Sequence, residues 1–321
     1  MTDTEIPVRV KQMRHEADTV VSVEFETLDG SDLPQAAPGA HVDVVLNDGL
    51  RRSYSLTREI TGGARCTVAV HRAPDSKGGS AHVHDILRVG DRIALSRPRN
   101  NFPLAGGAEA SVFVAGGIGI TPILAMLRHL TRNGRPWELH YAARRRGAAA
   151  FRAEITDLAA AAGGNATVTW HFDDEQGGAL INIPAILAAH PGAHVYCCGP
   201  EPMLVAFEDA TAGLPRDRVH VERFSAAEEA ARDGGFELVL QRSGKTLQVE
   251  PGQTILDVLI ANKVPVSFSC MEGACGTCET RVIEGRPDHR DAILTEEERA
   301  RNDTMMVCCS GSRSDRLVLD L

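Results

Sequence analysis

The sequence predicts a multidomain protein of 321 residues, with an all-β part, an α/β domain and a small domain built around cysteines. Three observations predict it. Short strand patterns separated by Gly and Pro fill the first hundred residues, strand and helix patterns alternate from about 108 to 224, and five of the eight cysteines lie in the last 52 residues. We expect domains over residues 1–105, 106–225 and 236–321, with a small, charged linker over 226–235.

The composition narrows the classes of function. Lys and Arg total 34 against 43 Asp and Glu, a formal net charge of −9. This balance argues against a general nucleic-acid binder, because neutralising phosphates needs a basic surface. No apolar run approaches the roughly 18 residues of a membrane span, and the first residues lack the basic flank and apolar stretch of a signal peptide. We therefore expect a cytoplasmic protein with no nucleic-acid or membrane partner.

Strand patterns predict the N-terminal domain. They cover residues 19–25, 41–46 and 66–70, with turn signals at Asn47-Asp48-Gly49 and Pro74-Asp75. Strands at this spacing are typical of an antiparallel barrel or a sandwich, and the pattern alone does not choose between them.

A glycine-rich loop opens the predicted α/β domain. The apolar run at 111–115 is typical of a buried parallel strand, and a helix pattern covers residues 123–130. Between them lies Gly116-Gly117-Ile118-Gly119-Ile120-Thr121-Pro122, where Thr121 suits the helix N-cap and Pro122 the first helical position. Glycines here would let a pyrophosphate approach free backbone N–H groups. The alternative is a tight turn without a ligand, because the G-x-G-x-x-G fingerprint is absent.

A second turn of the same kind supports nucleotide binding. Strands are predicted over 137–143 and 194–198, and the second runs into Cys198-Gly199-Pro200-Glu201-Pro202-Met203, which opens another helix. Both turns should lie at the carboxyl edge of one sheet. Cys197 should face the other side of its strand and needs no function.

The C-terminal cysteines carry the most specific signal. Cys270, Cys275 and Cys278 have the spacing C-x4-C-x2-C of a plant-type [2Fe-2S] site. Cys308 and Cys309 could supply the fourth thiolate, but neighbours in an extended segment point opposite ways, so only one can bind. Disulfides are disfavoured without a secretion signal, and zinc sites more often show paired C-x2-C knuckles.

The remaining C-terminal patterns predict a hairpin and a helix. Strands at 236–240 and 246–249 flank Ser243-Gly244, which is a hairpin signal, and a helix pattern follows over 254–261.

Together these motifs resemble the phthalate dioxygenase reductase family, within the ferredoxin–NADP reductase superfamily. The likeness covers nearly the whole chain and includes Arg52-Ser53-Tyr54-Ser55, which matches the superfamily's R-x-Y-S/T flavin motif. It implies an antiparallel flavin-binding β-barrel, a Rossmann-like nucleotide-binding α/β domain and a C-terminal β-grasp ferredoxin domain. The reductases of vanillate O-demethylase and carnitine monooxygenase are similar.

The resemblance implies roles for residues in each domain. FMN would bind through the flavin motif, the segment that follows the 66–70 strand, and a phosphate loop before a short helix at 81–87: Arg52, Ser53, Tyr54, Ser55, His71, Arg72, Lys77, Gly79 and Ser80. The nicotinamide nucleotide would bind to Gly116, Gly117, Gly119, Thr121, Arg144, Cys198, Gly199 and Pro200. Cys198, Tyr54 and Ser55 would be catalytic, at the nicotinamide and the flavin ring. The cluster ligands would be Cys270, Cys275, Cys278 and Cys308, because the family's fourth ligand stands two residues before a small residue, here Ser310.

The choice of nucleotide rests on conflicting signals. Arg144-Arg145-Arg146 follows the 137–143 strand, where an Arg favours the 2′-phosphate of NADP. NADH-using relatives carry an Arg matching Arg144, so we predict NADH, with NADPH as the alternative. The acidic run Asp173-Asp174-Glu175 would help to exclude a phosphate.

The function implied is that of a reductase component, which passes electrons from NADH through FMN and a [2Fe-2S] cluster to a Rieske-type non-haem iron oxygenase. Two alternatives stay open. One is a stand-alone NAD(P)H diaphorase, quinone reductase or ferric reductase, which needs no partner. The other is a non-catalytic iron–sulfur electron-transfer module, which the flavin and nucleotide motifs disfavour.

Overall fold

The computed structural model describes residues 5–46, 50–74, 76, 78–175, 177–178, 180–225 and 229–321. The chain divides into two compact units, Met1–Glu222 and Arg223–Leu321. The predicted boundary after residue 105 and the linker over 226–235 stay predictions. No helix in the described parts of the chain is long and apolar enough to span a membrane.

The first unit begins with six antiparallel strands in the order β4-β3-β6-β1-β2-β5. They and one short helix are β1 Glu5–Ala17, β2 Val20–Thr27, β3 His41–Val45, β4 Arg51–Ser55, β5 Arg65–His71, α1 Gly79–Asp85 and β6 Arg92–Ser96. A bridge between Leu56 and Val68 joins the two ends of the sheet. The sheet therefore closes as a barrel, around a core that is mostly Val, Leu and Phe.

The same unit continues with a five-stranded parallel sheet in the order β11-β10-β7-β8-β9. Its elements are β7 Ser111–Gly116, α2 Ile120–Arg132, β8 Trp137–Ala143, α3 Arg152–Ala161, β9 Ala166–Phe172, α4 Ile183–Ala189, β10 His194–Cys198, α5 Glu201–Thr211 and β11 Val219–Glu222. Helices α2 and α3 cover one face, and α4 and α5 cover the other. The strand order reverses between β7 and β10, and ligands of open α/β sheets bind outside such a switch point.

Helix α2 starts earlier than the sequence predicts. Its N-cap is Gly119, after a 3-10 turn over Gly117–Gly119, so the predicted N-cap at Thr121 is wrong. Thr121 already lies in the first turn, where its hydroxyl donates to the carbonyl of Ile118 at 3.0 Å. Pro122 is the third helical residue, which is tolerated because the first-turn N–H groups have no helical partner.

The second unit has a mixed sheet in the order β13-β12-β18-β14-β16, in which β12 and β18 run parallel. Its elements are β12 Phe236–Leu240, β13 Lys245–Val249, α6 Ile255–Ala261, β14 Glu279–Glu284, β15 Pro287–Asp288, α7 Glu296–Arg301, β16 Thr304–Met306, β17 Gly311–Ser312 and β18 Arg316–Leu319. Thr254 and Asp257 form a capping box that begins α6. The predicted hairpin and helix are confirmed.

Most predicted elements of the first unit are confirmed as well. The strands predicted over 137–143 and 194–198 have the observed ends of β8 and β10. The short helix predicted over 81–87 instead runs from Gly79 to Asp85. The turn signals at Asn47-Asp48-Gly49 and Asp75 fall outside the described residues.

Candidate functional site

The two predicted nucleotide loops meet at the switch point of the parallel sheet. A Cβ added to Gly119 would overlap the carbonyl of Cys198, and one added to Gly116 would lie 2.5 Å from Cδ of Pro200. Only glycine lets the two backbones approach this closely. Gly117 has a φ of +54°, and a Cβ there would meet no atom within 4 Å, so this side of the loop is open to a ligand.

Gly199 closes the second loop in the same way. A Cβ on it would lie 2.6 Å from Sδ of Met203 and 3.2 Å from Cα of Gly116. The cradle that a dinucleotide requires is therefore built from backbone at the carboxyl ends of β7 and β10.

Cys197 and Cys198 face opposite sides of β10, as predicted. Cys197 packs in the core under α4 and α5, and Cys198 packs in the core under α2. Burial raises the pKa of the Cys198 thiol well above its usual range. Cys198 is therefore a neutral thiol rather than a thiolate nucleophile.

The flavin motif occupies β4, and its side chains alternate between two faces. Arg52 lies across the start of α1, because a Cβ on Gly79 would come within 3.1 Å of the Arg52 Cδ. Tyr54 is half-buried on the same face of β4, and burial raises its pKa to about 12, so the ring stays neutral. Ser53 faces the other way and donates to Asp43 at 2.7 Å. Ser55 shares that face with Ser53 and is buried.

The other predicted flavin residues surround α1 and the end of β5. Ser80 donates to Ser76 at 2.9 Å and accepts from the Ala73 backbone N–H at 3.3 Å, which fixes the loop before the helix. Arg72 pairs with Asp85 at 2.8 Å. Lys77 lies outside the described residues.

His71 and Arg144, predicted for different cofactors, lie near each other. Burial and then the charges of His84 and Arg144 lower the pKa of His71. The turn Gly117–Gly119 also lies against β5. Strand β5, which ends at the predicted flavin residue His71, and the predicted nucleotide loop are thus neighbours within the first unit.

The four predicted cluster ligands lie buried together in the second unit. Cys270, Cys275, Cys278 and Cys308 are each less than 10% exposed, and none forms a disulfide. The thiol of Cys270 contacts those of Cys275 and Cys308. It also accepts hydrogen bonds from the backbone N–H groups of Glu272 at 3.3 Å and Ala274 at 3.4 Å.

The chemistry of this loop fits a [2Fe-2S] cluster. Its hydrogen bond with Cys270, together with burial, raises the pKa of the Cys275 thiol, so the crowded thiols cannot ionise together without a positive group among them. Two ferric ions would supply that charge, and the backbone donors that reach Cys270 are the kind that tune such a cluster.

Cys308 and Cys309 lie in a turn after β16, not in the extended segment that the sequence predicts. The backbone N–H groups of Cys309 and Ser310 both donate to the Met306 carbonyl. Cys308 reaches Cys270, whereas the Cys309 sulfur lies 3.8 Å from the Met306 carbonyl oxygen, deep in the core. This placement favours Cys308 as the ligand.

Residues 113–209 match the oxidoreductase NAD-binding domain, and residues 238–311 match the 2Fe-2S iron-sulfur cluster binding domain. The chain is 45% identical to the phenoxybenzoate dioxygenase subunit beta of Ectopseudomonas oleovorans, covering 98% of this chain and 97% of that one. It is 44% identical to the tetrachlorobenzoquinone reductase of Sphingobium chlorophenolicum, covering 98% of each. The solved structure of phthalate dioxygenase reductase matches with a TM-score of 0.77 at 34% identity, covering 99% of this chain and 98% of that one.

The chain belongs to the phthalate dioxygenase reductase family. Membership confirms the predicted three-part fold and the predicted class of enzyme, an NAD(P)H-dependent flavin iron–sulfur oxidoreductase. It also supports the predicted cofactors, which are FMN, a [2Fe-2S] cluster and NADH.

The structure places next to Cys198 a carboxylate that the sequence analysis missed. Glu222 ends β11 in register with Cys198. Its Oε2 is buried without a hydrogen-bond partner among the described residues, and burial raises the pKa of the carboxyl to about 8. The available signal was a carboxylate at the carboxyl end of the last strand, the edge where ligands bind.

A second missed group lies beneath the flavin motif. Asp43 on β3 accepts hydrogen bonds from Ser53 and from Arg99, at 2.7 and 2.8 Å, and its side chain is 2% exposed. Asp43 therefore anchors the strand that presents Arg52 and Tyr54.

Proposed function

We propose that the chain carries electrons from NADH through FMN and the [2Fe-2S] cluster to a Rieske-type oxygenase, with the predicted residues in these roles. The arrangement at the switch point carries the proposal. The glycine loop, Cys198 and the flavin strand lie together in one unit, so a nicotinamide and a flavin can be held side by side. Bound FMN would accept a hydride and release single electrons, which the cluster carries one at a time.

The chain's own residues bind and orient these groups. Arg52, with Gly79 and Ser80 at the start of α1, would hold the flavin phosphate, and Tyr54 would pack against the ring as a neutral aromatic. Gly116, Gly117 and the first turn of α2, which contains Thr121, would receive the pyrophosphate. Gly199 and Pro200 would leave room for the nicotinamide.

Cys198 would form the wall behind the nicotinamide ring. Its thiol is buried and neutral, so it excludes water from the reacting face without adding charge. Ser55 ends β4 on the buried face opposite Tyr54, so the direction of its side chain does not support its predicted role at the polar edge of the flavin. Cys270, Cys275, Cys278 and Cys308 would hold the cluster as thiolates.

The test uses the oxygenase component of the phenoxybenzoate dioxygenase system as the acceptor. With NADH and a catalytic amount of this protein under anaerobic conditions, the visible bands of the oxygenase's iron–sulfur centre should bleach. The rate should fall as salt is raised, because docking of charged faces is screened. An oxygenase partner would be contradicted if the oxygenase's bands did not bleach while the protein still oxidised NADH with ferricyanide as the acceptor.

The similarity to a tetrachlorobenzoquinone reductase favours a second candidate, a quinone reductase. A quinone could take electrons directly from the flavin, with no need for the cluster. Two results together would favour this candidate. The protein would reduce a chlorinated quinone at a rate that Cys275→Ser leaves unchanged, and it would not reduce the oxygenase. Turnover that is lost with the cluster would favour the reductase component.

A further inference from the structure

The three arginines after β8 differ in their partners. Arg145 pairs with Asp18 at 2.9 Å, and the backbone N–H of Asp18 donates to the Gly147 carbonyl at 3.0 Å. Arg146 forms a two-point ion pair with Glu175, and the contact from its Nη2 to Oε2 of Glu175 measures 2.7 Å. Arg144 lies near His71, and its charge is one of the causes that lower the pKa of that histidine.

Arg146 is held more firmly than an ordinary surface arginine. Its guanidinium carbon lies 5.0 Å from the centre of the Phe172 ring, so the group is stacked as well as paired. The hydrogen bond between the two residues lowers the pKa of Glu175 and raises that of Arg146, so both stay charged at neutral pH. A planar guanidinium on a carboxylate has the two-point geometry that would otherwise suit a phosphate.

The turn that carries Glu175 is fixed beside the arginines. The backbone N–H groups of Asp173 and Asp174 donate to the carbonyls of Ala143 and Arg144, each at 3.2 Å. The guanidinium of Arg146 therefore lies beside the carboxylate of Glu175 and feels the charge of Asp174, and the guanidinium of Arg145 lies beside Asp18. A phosphomonoester carries about −1.5 to −2 charges at pH 7. To bind at Arg146, it would have to displace Glu175 next to further negative charge.

We propose that Glu175 is a specificity-determining residue, which selects NADH by occupying the guanidinium that would bind the 2′-phosphate of NADPH. This inference rests on the proposed function, because it requires a dinucleotide at the carboxyl edge of the sheet. The ribose of NADH carries a hydroxyl at this position and needs no free arginine.

The experiment measures kcat/KM for NADPH and NADH with ferricyanide as the acceptor, and compares their ratio between variants. Glu175→Gln should raise the NADPH/NADH ratio about tenfold, the worth of roughly one charge-assisted hydrogen bond to the phosphate. The double variant Glu175→Gln/Arg146→Gln should return the ratio to the wild-type value. Asp320→Asn is the matched control, because it removes an exposed two-point pair with Arg242, at 2.6 Å for both contacts, in the second unit.

Three results would overturn the inference. They are an unchanged ratio in Glu175→Gln, a rise that persists in the double variant, and an equal rise in Asp320→Asn. If the wild-type protein oxidises neither nucleotide, the proposed function itself fails. If the wild-type protein oxidises NADH but the NADPH/NADH ratio does not change in Glu175→Gln, only the proposed role of Glu175 fails.

Discussion

Cys198 and Glu222 lie opposite each other, in register on the parallel strands β10 and β11. Burial raises the pKa of the thiol well above its usual range and that of the carboxyl to about 8. Both groups are therefore neutral at neutral pH, at the edge where the nucleotide is proposed to bind. This corner of the site would gain a negative charge only above about pH 8.

The raised pKa of Glu222 predicts a dependence of stability on pH. The folded protein binds this proton more tightly than the unfolded chain, in which the value is near 4.5. Glu222 therefore favours folding most at low pH, and this contribution is lost as the pH rises towards 8. Relative to Glu222→Gln, the wild-type free energy of unfolding should fall by up to about 1.4 kcal/mol per pH unit between about 5 and 8.

Urea unfolding followed by tryptophan fluorescence checks this prediction. The chain's two tryptophans, Trp137 and Trp170, both lie in the first unit, so the signal reports on that unit alone. Glu26→Gln is the control, because hydrogen bonds from Lys11 and Arg65 lower the pKa of this exposed carboxyl. Glu26→Gln should leave unchanged the slope of the free energy of unfolding against pH above pH 5. A difference between wild type and Glu222→Gln that does not vary with pH would contradict a buried, protonated Glu222.

Cys275→Ser should lose the cluster and keep the flavin chemistry. This thiol is one of the four predicted cluster ligands that lie buried in the second unit, whereas the flavin and nucleotide residues belong to the other unit. Visible absorption should lack the iron–sulfur bands, while NADH should still bleach the flavin. Cys309→Ser is the matched control and should retain the cluster. If Cys309→Ser lost the cluster, Cys309 rather than Cys308 would be the fourth ligand.

Gly119→Ala should disrupt the nucleotide cradle. Its Cβ would overlap the Cys198 carbonyl and lie 2.9 Å from the Gly199 nitrogen, so one loop must move. A displacement of about 1 Å can cost about 10²-fold, and we expect a loss of this size in kcat/KM for NADH. Gly106→Ala adds a methyl group that meets no atom within 4 Å and should have wild-type kinetics. Equal kinetics in both variants would argue against the cradle.

Asp43→Asn should loosen the flavin-binding strand. Ser53 and Arg99 both donate to the same oxygen of Asp43, Oδ1, so the amide oxygen of Asn could accept both bonds but would lack the negative charge that pairs with Arg99. Losing a charged acceptor in a buried site costs about 2–3 kcal/mol. Release of FMN in a thermal ramp, followed by flavin fluorescence, should shift to lower temperature. Glu26→Gln, at an exposed pair, should shift it much less, and equal shifts would contradict a special role for Asp43.

Elements with one strong periodicity could be predicted from the sequence. Strands β8 and β10 are mostly apolar and buried, so their ends are visible in the pattern. Strand β1 was missed because charged residues occupy most of its outward positions, and Pro7 interrupts the run. Helix α3 was missed because its alanine-rich sequence has little apolar periodicity, and only Ile155 in it is buried.

The motifs located the candidate site, but they could not give its pairings. The glycine loop and the Cys198 turn can be recognised from local sequence. In contrast, Glu222 meets Cys198 only through the register of two strands, and Arg146 meets Glu175 only because β8 and β9 are neighbours. The predicted helix start at Thr121 was wrong because the glycines form a 3-10 turn that leads directly into α2.

An anaerobic titration with NADH, followed by visible absorption, tests the central claim most directly. Electron flow from nicotinamide through flavin to the cluster requires about 1.5 NADH per protein, because the flavin takes two electrons and the cluster takes one. We predict that the flavin and iron–sulfur bands bleach together with that stoichiometry. A flavin that bleaches with about one NADH while the cluster bands persist would contradict the proposed path, as would bands that do not respond to NADH.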